Sequence, residues 1–424
     1  MLDRKKQPVV KEIDSIDFIL PEKSKLDNGI QVFSIPADDQ EVSVIKFAFS
    51  AGSWYQPIPL VAWFTSKMLR EGTKELTSLQ IAELIEFYGA DLELLCQPDN
   101  SDITLYSLNK HLEKLFPVVE DMVKHPAFPE KELSVLLQNN KQNLIIQREK
   151  VKYVARETFN KLMFGTTHPY SNYINIEDYE NITPAVLSTF HKSFYTADNC
   201  KIIVAGKTDK TLFCLLNKHF GQNDWKAEKI IVPHPEQFKM SDVLKHRIEK
   251  TDAVQSAIRI GKPMFNPTHP DYIGFKVLNT IFGGYFGSRL MQNIREDKGY
   301  TYGIGSNVET YLHAAYFYIA TEVGVNDREK TLDEIYLEIN RLKTETVPED
   351  ELQLVKNYKM GSLLRSMDGP FAMAEQYCFM LEYGLDENYF DRCVDVIKNI
   401  SADEITRLAQ KYLDADSMIE VIVG

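Results

Sequence analysis

The segment PEKEL at Pro129–Leu133 returns as PEDEL at Pro348–Leu352, 219 positions later, and each copy opens a long amphipathic run. Further on, ITPAVLSTFHKSFYTADNCKIIVAG (Ile182–Gly206) aligns with ISADEITRLAQKYLDADSMIEVIVG (Ile400–Gly424) at an offset of 218. That alignment pairs Ala197 and Asp198 with Ala415 and Asp416, and Gly206 with Gly424. Two separated blocks that share almost one offset mark a duplicated unit of about 200 residues, so the chain has to build the same fold twice around two cores. The repeat divides it into an N-terminal extension (1–24), a first domain (25–222), a linker (223–241) and a second domain (242–424). The linker, Asn223 to Ser241, carries Pro233-His234-Pro235 and little periodicity.

Each unit has the same internal grammar. Between Asn28 and Gly52, the apolar runs Ile30, Val32, Phe33 and Val42, Val44, Ile45, Phe47, Phe49 flank Pro36 and Asp38-Asp39, which predicts strand, turn, strand. Helical spacing follows. Leu60, Phe64 and Met68 lie four apart ahead of Gly72, and Leu133, Leu136 and Leu137 share a face after Pro129. Both units close on helix and then strand, at Lys201–Ala205 and Ile419–Val423. Hairpins without regular βαβ alternation predict the α+β class: two homologous domains, each a mainly antiparallel sheet covered by helices.

Charge and cysteine usage remove several functions. With 48 Lys+Arg against 61 Asp+Glu the net charge is −13, and the densest basic run is only Asp3-Arg4-Lys5-Lys6, so no nucleic-acid partner is expected. Cys96, Cys200, Cys214, Cys378 and Cys393 are odd in number and contain no CxxC pair, which fits a reducing compartment. The start, MLDRKKQPVVKEIDS, shows no signal-peptide core, and the longest apolar segment (Tyr272 to Phe286) is broken by Lys276 and Asn279. No membrane partner and a cytoplasmic location are therefore expected.

The nine histidines include no two that lie three to five residues apart, which excludes HExxH, HxxEH and Cys/His knuckles, so no metal is expected in this chain. Phe282-Gly283-Gly284-Tyr285-Phe286-Gly287-Ser288-Arg289-Leu290 has the glycine density of a phosphate loop but lacks the Lys-Ser/Thr ending. Gly283, Gly284 and Gly287 then serve a tight turn or a close backbone approach. No GxSxG elbow is present.

WFTSKMLREGT (Trp63–Thr73) resembles the zinc-binding helix of the pitrilysin, insulin-degrading-enzyme and mitochondrial-processing-peptidase family, where HxxEH precedes a similar ML..GT ending. In that alignment Trp63 and Lys67 stand at the two histidine positions and Ser66 at the glutamate. The family's third ligand, a glutamate, should fall within Gln142-Asn143-Leu144-Ile145-Ile146-Gln147, which holds no acid. An indole, a hydroxyl and an ammonium on one helical face make a degenerate zinc site.

The second half is similar to the family's SRL...IREK.G.AY segment through Ser288-Arg289-Leu290 and Ile294 to Tyr302. There an arginine, and a tyrosine seven residues later, reach the peptide held at another domain's zinc; Arg295 and Tyr302 match the spacing. FGTTHPYS and SFYTADNCKIIVAG extend the likeness from about Leu26 to Gly424. The resemblance implies one half of a clamshell: the Arg/Tyr-donating, non-catalytic subunit of a heterodimeric zinc metallopeptidase acting on unstructured peptides. Such a chain is inactive alone and carries no cofactor, with zinc expected in a homologous HxxEH-bearing partner. Its partners would be that subunit and extended peptides. The alternative is a catalytically inert scaffold or interaction protein of the same fold. In an extended strand from Thr301 to Val308, Tyr302 and Ile304 should share a face, letting the Tyr302 phenol and the Arg295 guanidinium meet at one point.

Overall fold

The computed structural model describes residues 13, 15–37, 41–225 and 239–424. The centre of the expected linker and most of the N-terminal extension lie outside the described residues. Of that extension, Ile16 is buried against the second half and Phe18 meets Phe390 with ring centroids 4.9 Å apart.

Two sheets carry the fold. The first contains β1 (Glu22–Lys25), β2 (Gln31–Pro36), β3 (Val42–Phe49), β4 (Asp91–Cys96), β5 (Ser101–Leu108) and β6 (Cys200–Gly206), in the order β1-β2-β6-β3-β5-β4. The second contains β7 (Lys245–Ile248), β8 (Gln255–Met264), β9 (Thr301–Thr310), β10 (Ala315–Gly324) and β11 (Ile419–Val423), in the order β7-β11-β8-β10-β9. Each sheet is antiparallel except for one parallel pair, β2 with β6 and β7 with β11. With helices around them these are α+β units, and the central strands β3 and β11 are buried along almost their whole length, as strands covered on both faces must be. The edge strand β4, by contrast, alternates exposed and buried residues.

The repeat has a physical basis. Gly206 and Gly424 both take a positive φ, +107° and +117°, and at each a Cβ would come within 2.5 Å or less of a backbone carbonyl, that of Val42 or of Gln255. Only glycine permits that approach at the end of a strand. Pro129 and Pro348 likewise each precede a helix, Glu130–Arg148 and Glu349–Arg365, whose first turn is acidic.

The halves also exchange helices. Helix Val151–Phe164 of the first half lies against the second sheet, packing Ala155, Phe159 and Met163 on Ala257, Ile419 and Val421. Helix Pro370–Tyr383, 219 positions later, lies against the first sheet, with Ala374 and Tyr377 on Phe33 and Ile203. Between the sheets, Asp99 in the β4–β5 turn accepts from the Leu312 backbone N–H (3.0 Å) and from the Tyr170 hydroxyl (2.5 Å). Each half therefore completes the core of the other, and the pair forms one unit.

Candidate functional site

Helix Val61–Met68 forms as its spacing predicts, with Leu60, Phe64 and Met68 buried. Ser66 is fully buried, and Lys67 donates its ammonium to the Leu94 carbonyl oxygen at 2.5 Å, bonding to the middle of the edge strand β4. Trp63 meets Phe64 edge-on (ring centroids 4.9 Å) and borders a cavity of about 780 Å³ between the halves. On helix Glu130–Arg148 the Gln142–Gln147 stretch offers only amides and apolar groups. Among the described residues no group of three His, Cys, Asp or Glu side chains converges on a point. These residues do not fit a zinc ion, whose ligands are imidazoles, thiolates or carboxylates.

In the second half, the two short π-helical segments Thr280–Gly284 and Met291–Asp297 enclose the glycine-rich loop. Such segments are rare and concentrate at functional places. A Cβ on Gly283 would sit 2.5 Å from the Ser306 hydroxyl oxygen, so that glycine lets the loop press onto β9. Asn279 fastens the contact: its Oδ1 accepts from the Ser306 hydroxyl (2.7 Å) while its amide donates to the Ser306 carbonyl (3.1 Å). Gly284 and Gly287 instead lie close to Asn279 and to the Tyr285 ring. The loop tip leaves Phe286 exposed, and the Arg295 guanidinium stacks on that ring with its carbon 4.6 Å from the centroid while pairing with Glu296. Gly299, at φ +68°, ends the segment and turns the chain into β9.

The expectation that Tyr302 and Ile304 share a face is corrected here. Pairing of β9 with β10 shifts between Thr321–Ile304 and Val323–Thr301, so a bulge holds Tyr302 and Gly303. The Thr301 hydroxyl fixes it, accepting from the Gly303 N–H (3.1 Å) and donating to the Glu322 carbonyl (2.7 Å). Ile304 is buried, whereas Tyr302 is 93% exposed at the rim of the sheet. Among the described residues no hydrogen bond joins Tyr302 to Arg295. Tyr302 stands in solvent, and Arg295, about one third exposed, is turned to Phe286 and Glu296.

The large cavity was not singled out from the sequence. Its second-sheet wall carries Arg259 and Tyr318, and the exchanged helix adds Arg156 and Asn160. A signal was available: SVIKF (43–47) and SAIRI (256–260) match at an offset of 213, placing Lys46 opposite Arg259.

Two family models cover most of the chain. Residues 31–169 match insulinase (peptidase family M16), and residues 181–359 match the peptidase M16 inactive domain. The chain belongs to the M16 peptidase family. Among its M16 relatives, the zinc protease YmxG of Bacillus subtilis is 22% identical over 370 residues, covering 85% of this chain and 88% of the relative. The non-peptidase homolog YmxG of Helicobacter pylori is 24% identical over 368 residues, covering 85% and 83%. A crystal structure described as a peptidase M16 inactive domain from Pseudomonas fluorescens has the same fold, with a TM-score of 0.86 at 24% identity over 95% of this chain and 98% of that one. This chain is thus an M16 member whose zinc-helix positions hold no metal ligand. No helix among the described residues is long and apolar enough to cross a membrane.

Proposed function

We propose that this chain is the non-catalytic subunit of a heterodimeric, cytoplasmic M16 metallopeptidase that cleaves unstructured peptides. One observation carries the reading: the positions aligned with the metal-binding face hold Trp63, Ser66 and Lys67, while Tyr302 is 93% exposed and Arg295 lies outside the core. A large aromatic on a bulged edge strand has no role in this chain's own core, and β9 has a neighbouring strand on only one side among those described. An extended peptide can add to such an edge through backbone hydrogen bonds. In this reading zinc and its general-base glutamate belong to a homologous HxxEH-bearing partner. Arg295 contributes a charge-assisted donor and Tyr302 a neutral one toward the oxyanion that develops on the peptide. The pairing of Arg295 with Glu296 favours a second reading, an inert scaffold of the same fold, in which the guanidinium is already satisfied.

The test is purification of the chain alone and with its M16 partner. Alone it should hold no stoichiometric zinc and cleave no peptide, whereas the complex should show chelator-sensitive cleavage. About one tightly held zinc per chain, or chelator-sensitive activity in a partner-free preparation, would overturn the reading.

A further inference from the structure

The internal repeat places Lys46 of β3 and Arg259 of β8 in equivalent positions. Lys46 lies opposite Ile203 on β6, Arg259 lies opposite Val421 on β11, and Ile203 and Val421 are themselves repeat partners at the 218 offset. Both cations are buried in a central strand beneath an exchanged helix. In the first half that helix presents Glu375, which binds Lys46 at 2.6 Å, and Asp102 on β5 lies 3.9 Å away. At the matching place, 219 positions earlier than Glu375, the other exchanged helix presents Arg156. The β10 residue that corresponds to Asp102 is Tyr318. Both carboxylates around the first cation are therefore absent around the second, and one of them is replaced by another cation.

A buried guanidinium without a counter-ion is costly. Arg259 is 9% exposed, its Nε has no hydrogen-bond partner, and among the described residues it forms no ion pair. Its plane is held by Tyr318, 4.4 Å from ring centroid to guanidinium carbon, and by Phe159, at 5.5 Å. Burial above all, and the nearby Arg156 charge, lower its affinity for its proton, against the opposing effect of Tyr316, Tyr318 and, more weakly, Glu309. Arg156 forms no ion pair among the described residues either and lies over Tyr153. Of the two carboxylates on the cavity wall, Asp178 already accepts the Asn175 N–H at 2.6 Å, and Glu309 makes no ion pair with either arginine. The first cleft, filled by its own ion pair, measures about 220 Å³; the second measures about 780 Å³, within the usual range for small-molecule sites. Tyr311, Tyr316 and Trp63 add aromatic surface, and the Asn160 Oδ1 is buried without a partner.

We propose that this cavity binds an organic carboxylate, its anionic end held by Arg259 and Arg156 and its apolar or aromatic remainder packed against Tyr311, Tyr316 and Trp63. A flat guanidinium clamped between rings offers its edge to a planar, bidentate anion. With Glu309 on the wall, a monoanion suits the site better than a dianion. The ligand supplies to Arg259 what Glu375 supplies to Lys46.

The experiment is calorimetric titration of the full chain with N-benzoylglycine, N-benzoylglycinamide and inorganic phosphate. Saturable binding of the carboxylate is expected, with the amide at least tenfold weaker. Arg156→Glu restores the first-half arrangement, so it should abolish binding while raising the melting temperature of the unliganded chain. Arg259→Gln should weaken binding at least tenfold. No saturable binding, equal binding of the amide, or binding unchanged in Arg156→Glu would overturn the proposal. Saturable phosphate binding without carboxylate binding would overturn the carboxylate assignment.

Discussion

Lys46 and Arg259 sit at one position of a duplicated fold, and their surroundings differ in sign. The first half closes its buried cation with Glu375 and Asp102; the second sets Arg156 and Tyr318 there and keeps a cavity open. The same division holds at the old metal helix. In the first half Trp63, Ser66 and Lys67 stand at the positions aligned with the family's zinc helix, while in the second half Tyr302 is exposed and Arg295 lies outside the core. Backbone geometry is fixed by what a strand end or a helix start will accept, as at Gly206 and Gly424, whereas charge at a given position is free to invert once its partner is supplied from elsewhere.

The largest effect should come from breaking the closed side. Lys46→Met strips the counter-ion from Asp102 and Glu375, and loss of one member of such a pair should cost about 3 kcal/mol in urea unfolding. Less than about 1 kcal/mol would mean that the carboxylates never depended on it. Next is the tie between the sheets: Tyr170→Phe removes the 2.5 Å hydrogen bond to the Asp99 carboxylate and should cost about 1.5–3 kcal/mol. Arg259→Met, the mirror of the first substitution, should move the unliganded chain by no more than about 1 kcal/mol and in the stabilising direction, because no carboxylate is left unpaired. A loss as large as that of Lys46→Met would erase the distinction between the two clefts.

The smallest effect concerns pH. Glu382 borders the closed cleft, and burial, reinforced by the Asp99 and Asp102 charges, pushes its carboxyl up to about 7. Its proton is held more tightly in the folded than in the unfolded chain. The ionised group thus opposes folding at neutral pH, and that penalty fades as pH falls through its folded value toward the unfolded range near about 4.3. Burial pushes His191 the other way, to about 4, so His191 loses stability on acidification and would mask the effect in the parent chain. Comparison with Glu382→Gln isolates it. The variant should melt a few degrees higher than the parent at pH 7.5, the gap closing near pH 5; a constant gap would contradict the assigned shift.

Much of this was readable before the structure. The duplication and the α+β class follow from local spacing, because strand alternation and a proline before a helix are visible in a few residues; the degenerate metal helix is what the resemblance of Trp63–Thr73 to the family's zinc helix implies. The Tyr302 bulge was not readable, since Thr301 and Ile304 both find partners on β10 and only Tyr302 and Gly303 between them fall out of register, which depends on how β10 pairs rather than on the local pattern. The helix exchange was not either. Without it nothing connects Glu375 to Lys46 or Arg156 to Arg259, pairs that lie far apart in the chain and meet only when each half covers the other.

The central claim is that Arg295 and Tyr302 complete a reaction centre on a second chain. The direct measurement is kcat for an unstructured peptide, using this chain assembled with an M16 partner whose own metal site is intact. Arg295→Ala and Tyr302→Phe should each lower kcat by on the order of 10²–10³. Both side chains lie outside the core, so subunit association should be unchanged and the melting temperature should stay within about a few degrees. An unchanged kcat in both variants would contradict the claim and leave this chain a scaffold.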